Sequence, residues 1–109
     1  MKQAKIYNYD RFAGMLTEDE NGYTFLYDPH YLLAEQSVAI SLTMPMTDKP
    51  YHSTLLFPFF DGLIPEGWLL DIVEKSWKID RRDRMSLLLA CCKDCIGSVS
   101  IIPILNEEE

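Results

Sequence analysis

The run Leu55-Leu56-Phe57-Pro58-Phe59-Phe60-Asp61-Gly62-Leu63-Ile64-Pro65-Glu66-Gly67-Trp68 divides the chain in two. Before it, apolar residues tend to alternate, as strands require. After it, they recur at helical spacing. The run itself gathers aromatic residues around two prolines and two glycines. A segment of that kind is either a buried corner or a rigid surface offered to another protein. The order of strands first and helices second indicates an α+β domain.

Downstream of the run, Pro65 and Glu66 suit a first helical turn, and a helix is expected to continue to Trp77. Leu69, Ile72, Val73 and Ser76 share one face of it, while Asp71, Glu74, Lys75 and Lys78 face water. Asp80 or Asp83 caps a further helix carrying Met85, Leu88, Leu89 and Cys92, with Gly97 as an end signal. Ser98 to Leu105 reads as a closing strand broken by Pro103. Within the run, Ser53 or Thr54 is expected to cap a short helix through Phe60, with Pro58 near its start.

Upstream, Ala4–Tyr9, Arg11–Leu16 and Tyr23–Tyr27 form a predicted antiparallel meander. Gly14 marks a bulge or a close approach. Thr17 to Gly22 is a polar loop ending in the Asn-Gly turn signal. Asp28-Pro29 opens a short helical turn through Ala34. Val38 to Met44 is a further strand candidate, with Val38, Ile40 and Leu42 on one face. Pro45, Asp48 and Pro50 then make a loop that no helix can cross. The whole reads as a small antiparallel sheet or partial barrel of about five strands, packed with two to three helices.

Composition narrows the function. The 109 residues suit one domain, with an acidic tail at 106–109, and an apolar fraction of 48% is that of a globular protein. A net charge of −7 argues against direct binding to nucleic acid or an anionic membrane. No signal-peptide core is visible and the apolar runs are too short to span a bilayer. Cys91, Cys92 and Cys95 do not make a disulfide framework, so the cytoplasm is the expected compartment.

Chemistry is sparse. Glycine-rich phosphate loops, a nucleophile elbow and a kinase catalytic loop are all missing. His30 and His52 are the neutral-pH bases, and neither is spaced from a nucleophile. Cys92-Lys93-Asp94-Cys95 lacks the second ligand pair that zinc wants. It also falls at a helix C-terminus, where the dipole raises a thiol pKa. No catalytic residue, metal or cofactor is expected. Lys75, Lys78, Arg81, Arg82 and Arg84 form a basic cluster, either a solvated loop or a docking patch for an acidic partner. Trp68 lies at the edge of its helix's apolar stripe, as a rim of the core or as an interface anchor.

Several segments resemble the N-terminal subdomain of HipA-type toxin kinases. Ala39-Ile40-Ser41-Leu42-Thr43-Met44-Pro45-Met46 is similar to that family's Ser-Leu-x-x-Pro-Leu segment. Phe59-Phe60-Asp61-Gly62-Leu63-Ile64-Pro65-Glu66-Gly67 resembles its Phe-Phe-x-x-Leu-Leu-Pro-Glu-Gly. Lys93-Asp94-Cys95-Ile96-Gly97-Ser98-Val99 resembles its Asp-x-x-Gly-Ala-Val ending. Ala90-Cys91-Cys92 departs from the usual Ile-Gly pair. The family's ATP-binding and catalytic residues have no counterpart up to Glu109, so the resemblance carries no kinase activity.

What the resemblance implies is a stand-alone, HipS-type antitoxin. Its partner would be a separately encoded HipT-like serine/threonine kinase, with a HipB-like helix-turn-helix protein completing the system. The expected partner-binding residues are Trp68, Phe59, Asp61, Glu66, Gly67 and Asp71. Leu55, Phe57, Phe60, Leu63 and Ile64 are assigned instead to holding the helices against the sheet. A structural subunit of a kinase–repressor complex is the alternative.

Overall fold

A computed structural model describes residues 2–64, 75, 82–91 and 98–104. Strands β1 (Lys2–Asn8), β2 (Arg11–Asp19) and β3 (Gly22–Tyr27) form the meander the alternation predicts. β4 (Tyr51–Ser53) adds beside β3, and β5 (Val99–Ile104) beside β1. The sheet is antiparallel throughout and open, in the order β4-β3-β2-β1-β5. Helices α1 (Pro29–Leu33), α2 (Pro58–Asp61) and α3 (Arg84–Cys91) complete the described elements.

Local chemistry explains most of the joints. Tyr9 and Asp10 turn β1 into β2 with φ of 52° and 64°, the left-handed pair of a two-residue hairpin. A tyrosine there costs about 1–2 kcal/mol, and its amide is recovered by a 2.8 Å bond to the Ser98 carbonyl. Ile6 pairs with Gly14 while Tyr7 pairs with Phe12, so Ala13 is the extra residue of a bulge. Gly14 is the expected close approach. A Cβ there would lie 2.4 Å from the Leu26 carbonyl oxygen and 2.9 Å from the Phe25 ring.

β2 runs further than its polarity suggests. Thr17 pairs with Thr24 and Glu18 with Tyr23, which leaves Glu20-Asn21 as the turn. Ladder bonds therefore carry the strand into the segment read as a loop. Asp28 caps α1 by accepting from the Tyr31 amide at 3.2 Å, with Pro29 in the first turn. Asp83 caps α3 in the same way, accepting from the Ser86 amide at 3.2 Å. β5 runs through Pro103 to Ile104, because an edge strand tolerates a residue without an N–H.

The expected strand at Val38–Met44 is not one. The segment is a strap across one end of the sheet, with an isolated bridge between Ser41 and Met44. Its backbone is satisfied by side chains instead of a ladder. The Tyr31 hydroxyl donates to the Val38 carbonyl at 2.6 Å. The Tyr27 hydroxyl accepts from the Ile40 amide at 3.1 Å and donates to the Met44 carbonyl. Tyr51 donates from its hydroxyl to the Pro45 carbonyl. Ile40 and Met44 therefore point inward, while Leu42 is 99% exposed. The fifth strand is β4.

The core lies between one sheet face and the helices. Ile6, Leu16, Phe25, Tyr27 and Ile101 from the sheet meet Phe60 of α2 and Met85, Leu87 and Leu88 of α3. Fully burying each of these side chains contributes roughly 1.5–3 kcal/mol, enough to outweigh the strained turn at Tyr9.

Candidate functional site

The sequence places the candidate surface on residues 59–71, and α2 supplies its beginning. Pro58 opens this one-turn helix with its fixed φ, and Phe57 is the N-cap. Ser53 and Thr54 do not cap it, contrary to expectation. The Ser53 hydroxyl is taken by the Leu55 amide at 3.2 Å, which turns the chain before the helix starts. That turn also sends Leu55 outward, 76% exposed, and Leu56 inward. Leu56 therefore holds the core position assigned to Leu55. Phe57, Phe60 and Ile64 are buried and Leu63 packs against them, as assigned.

Two of the predicted partner-binding residues are described. Phe59 is half-buried and meets Phe60 edge-on, ring centroids 5.1 Å apart. Phe60 is itself fully buried against Phe25, with centroids 5.8 Å apart. Phe59 thus stands on a rigid aromatic stack and keeps an accessible side. Asp61, at the end of α2, accepts a 2.6 Å bond from Arg84 Nε. Trp68, Glu66, Gly67 and Asp71 lie outside the described residues, as do Lys78 and Arg81 of the basic cluster and Cys92 and Cys95. Lys75 is helical and exposed, matching the water-facing side assigned to it.

Beside the Asp61–Arg84 pair opens a cleft of about 350 Å³ lined by Tyr23, Thr54, Leu55, Leu56, Asp61, Arg82 and Arg84. Tyr23, Thr54 and Leu56 were not among the predicted partner-binding residues. Tyr23 is on β3, and Thr54 and Leu56 are in the connection from β4 to α2, which the pairing of Tyr23 with Ser53 brings alongside it. The cleft's lining mixes the polar and charged Tyr23, Thr54, Asp61, Arg82 and Arg84 with the apolar Leu55 and Leu56. Burial first, and then a hydrogen bond to Glu18, push the Tyr23 phenol up to about 12. It is a neutral donor at physiological pH.

Asp83 precedes Arg84 at the start of α3. Burial opposes its ionisation, but the Ser86 hydroxyl and amide and the Lys2 ammonium outweigh it and hold the carboxyl below its ordinary value. Lys2 Nζ stands 3.3 Å from Asp83 Oδ2 and 3.7 Å from Glu18. His30 and His52 are both exposed and sit in different elements, one in α1 and one in β4. Among the described residues no group of three or more His, Cys, Asp or Glu gathers as a metal site. Nor is any helix among them long and apolar enough to cross a membrane.

Comparison with known proteins gives a consistent result. The family model described as the HipA N-terminal domain matches residues 4–102. An uncharacterized protein of Haemophilus influenzae is 37% identical over 101 residues, covering 93% of this chain and 92% of that protein. The protein named "Putative kinase Y4mE" of Sinorhizobium fredii is 26% identical over 94 residues. That match takes in 85% of this chain but 22% of the larger protein. Among solved structures, an N-terminal domain of HipA toxin matches with a TM-score of 0.75 at 32% identity, covering 98% of this chain and 96% of the other.

Proposed function

The chain belongs to the HipA N-terminal domain family, and from that premise we propose that it acts as an antitoxin-type domain that binds and inhibits a separately encoded HipT-like serine/threonine kinase. The observation that carries this reading is the distribution of the domain among relatives. It spans 22% of a protein named as a kinase and 92% of the Haemophilus protein. A fold that forms one part of a larger chain and also nearly the whole of a small one has a ready-made surface for the rest. The small form can dock where the fused domain would sit.

In this reading the docking surface begins at Phe59 and centres on Trp68, with Glu66, Gly67 and Asp71 around it. Phe59 suits an anchor because its aromatic support is already assembled before binding, which lowers the entropy lost on association. Trp68 would enter a pocket of the kinase and hinder nucleotide binding or closure. The domain contributes contact and position, and the chemistry stays with the kinase.

The test is co-expression with the kinase encoded beside this chain, reading growth rescue and kinase autophosphorylation. Trp68→Ala is expected to weaken binding by ~2–4 kcal/mol with an unchanged circular-dichroism spectrum. If Trp68→Ala rescues growth as well as the parent chain, the plug mechanism is wrong. If the complex forms and the kinase in it stays fully active, the chain is an assembly subunit of a kinase–repressor complex with a HipB-like protein.

A further inference from the structure

Ala4, Ile6 and Asn8 form the inward row of β1, and Asn8 alone of them is polar, at 1% exposure. Its Nδ2 donates to the Tyr31 hydroxyl at 3.1 Å and to the Val38 carbonyl at 3.4 Å. That pairing fixes which way the amide faces. The Val38 carbonyl can only accept, and the Tyr31 hydroxyl already donates its proton to that carbonyl at 2.6 Å. Turning the amide over would set its oxygen against the Val38 carbonyl. Asn8 Oδ1 must therefore find its donor elsewhere, and no group of the protein meets it.

A second buried oxygen stands next to this cluster in the chain. Ser37 directly precedes Val38 and buries its Oγ without a protein partner, although the residue as a whole is half-buried. Gln36, with φ of 64°, turns the chain from α1 into the strap just before it. Tyr31 is not at liberty to serve either oxygen. Its ring stacks on Tyr27 with centroids 6.2 Å apart, and the Arg11 guanidinium carbon lies 5.4 Å from its centroid. Buried polar atoms in folded proteins are almost always satisfied, because an orphan loses its hydration for nothing. Two orphans on neighbouring groups are the setting in which a fold holds an internal water, which takes about two to four polar partners.

We infer that a single internal water bridges Asn8 Oδ1 and Ser37 Oγ, and so ties the end of β1 to the first residue of the strap. The water donates one proton to the Asn8 oxygen, which only accepts. Its second bond is with the Ser37 hydroxyl, which can give or take. The site accounts for an asparagine at an inward position of β1. An aspartate there would set a carboxylate oxygen against the Val38 carbonyl, and a leucine could not hold the water. It also separates the two ends of the strap. From Ile40 to Pro45 tyrosine hydroxyls hold the backbone directly, whereas at Ser37 the link passes through solvent.

The experiment is a pair of high-resolution crystal structures of the full chain, the parent and Ser37→Ala. A double-mutant cycle of Asn8→Ala and Ser37→Ala in urea accompanies it. The parent is expected to show a density peak within hydrogen-bond distance, roughly 2.5–3.2 Å, of both oxygens. That peak should be lost in Ser37→Ala and kept in Ser37→Thr, which retains the hydroxyl. In urea the combined loss should be smaller than the sum of the single losses, since either change alone empties the same site. If Asn8→Ala does not fold, the crystal structures decide alone. A direct bond between the two oxygens, a separate water on each, a dry site, or a peak unchanged in Ser37→Ala would overturn the inference. So would strict additivity in the cycle.

Discussion

The Tyr27 hydroxyl donates to the Met44 carbonyl, and the same oxygen accepts from the Ile40 amide at 3.1 Å. One strand residue thereby pins both sides of the Ser41–Met44 turn. The tyrosine's own burial raises its phenol pKa, so it stays a neutral donor. Tyr27→Phe removes both bonds and leaves buried backbone groups without partners, at a cost of about 1–3 kcal/mol. Chemical denaturation should show that loss, and amide exchange should accelerate over residues 38–46 before it does in β1 and β2.

Gly14 is required by space and not by dihedral freedom. Its missing Cβ would meet the Leu26 carbonyl oxygen at 2.4 Å, and backbone cannot swing aside as a side-chain tip can. Gly14→Ala should cost about 1–3 kcal/mol or more through overpacking between β2 and β3. Leu42→Ser, at a site 99% exposed, is the control and should stay within about 0.5 kcal/mol. Parallel thermal melts of the two variants check both expectations.

Stability should fall at both pH extremes, for opposite reasons. Asp83 is held below its ordinary value of 3.8, with burial opposed by the stronger pull of Ser86 and Lys2. Its contribution is present above pH 3.8 and is lost as pH falls through the lower folded value. Asp83→Asn should flatten the acid limb of a urea-midpoint profile. Tyr23 is raised from 10.0 to about 12, chiefly by burial, so the folded state keeps a proton that the unfolded state releases. Its contribution is intact below pH 10 and is lost as pH rises towards 12. Tyr23→Phe should remove that alkaline decline.

Phe59 is expected to serve two roles at once. Truncation to alanine removes the edge-on contact with Phe60 and should cost about 1–3 kcal/mol of stability, less than a fully buried phenylalanine would. The same change should weaken kinase binding. Measuring the denaturation midpoint beside the binding constant separates the two. A loss of affinity that persists well below the unfolding transition belongs to the interface.

Much of the architecture was legible because its signals are local. Alternation fixed β1 to β3. Asp28-Pro29 announced the start of α1, and Asp80 or Asp83 that of α3, through caps that reach only three residues ahead, Asp83 being the one that caps. The aromatic run around Phe60 was legible as core for the same reason, since apolar burial needs no particular partner. Phe59 and Asp61 were legible as candidates, but not their neighbours. Leu55 and Leu56 carry the same side chain, and only the turn at Ser53 decides which of them faces inward.

Sequence by itself therefore determined the class of the fold, the meander, the starts of α1 and α3, and the family. Tertiary structure decided the rest. Val38–Met44 has a good strand pattern, yet strand formation needs a neighbour to bond with, and its backbone bonds instead to the tyrosine hydroxyls of β3 and α1. Asp61 has the exposure of a binding residue, yet Arg84 reaches it from 23 positions away. In both cases the deciding partner is distant in sequence. A hydrogen bond or ion pair depends on where its second half stands, and that is fixed only when the chain has folded.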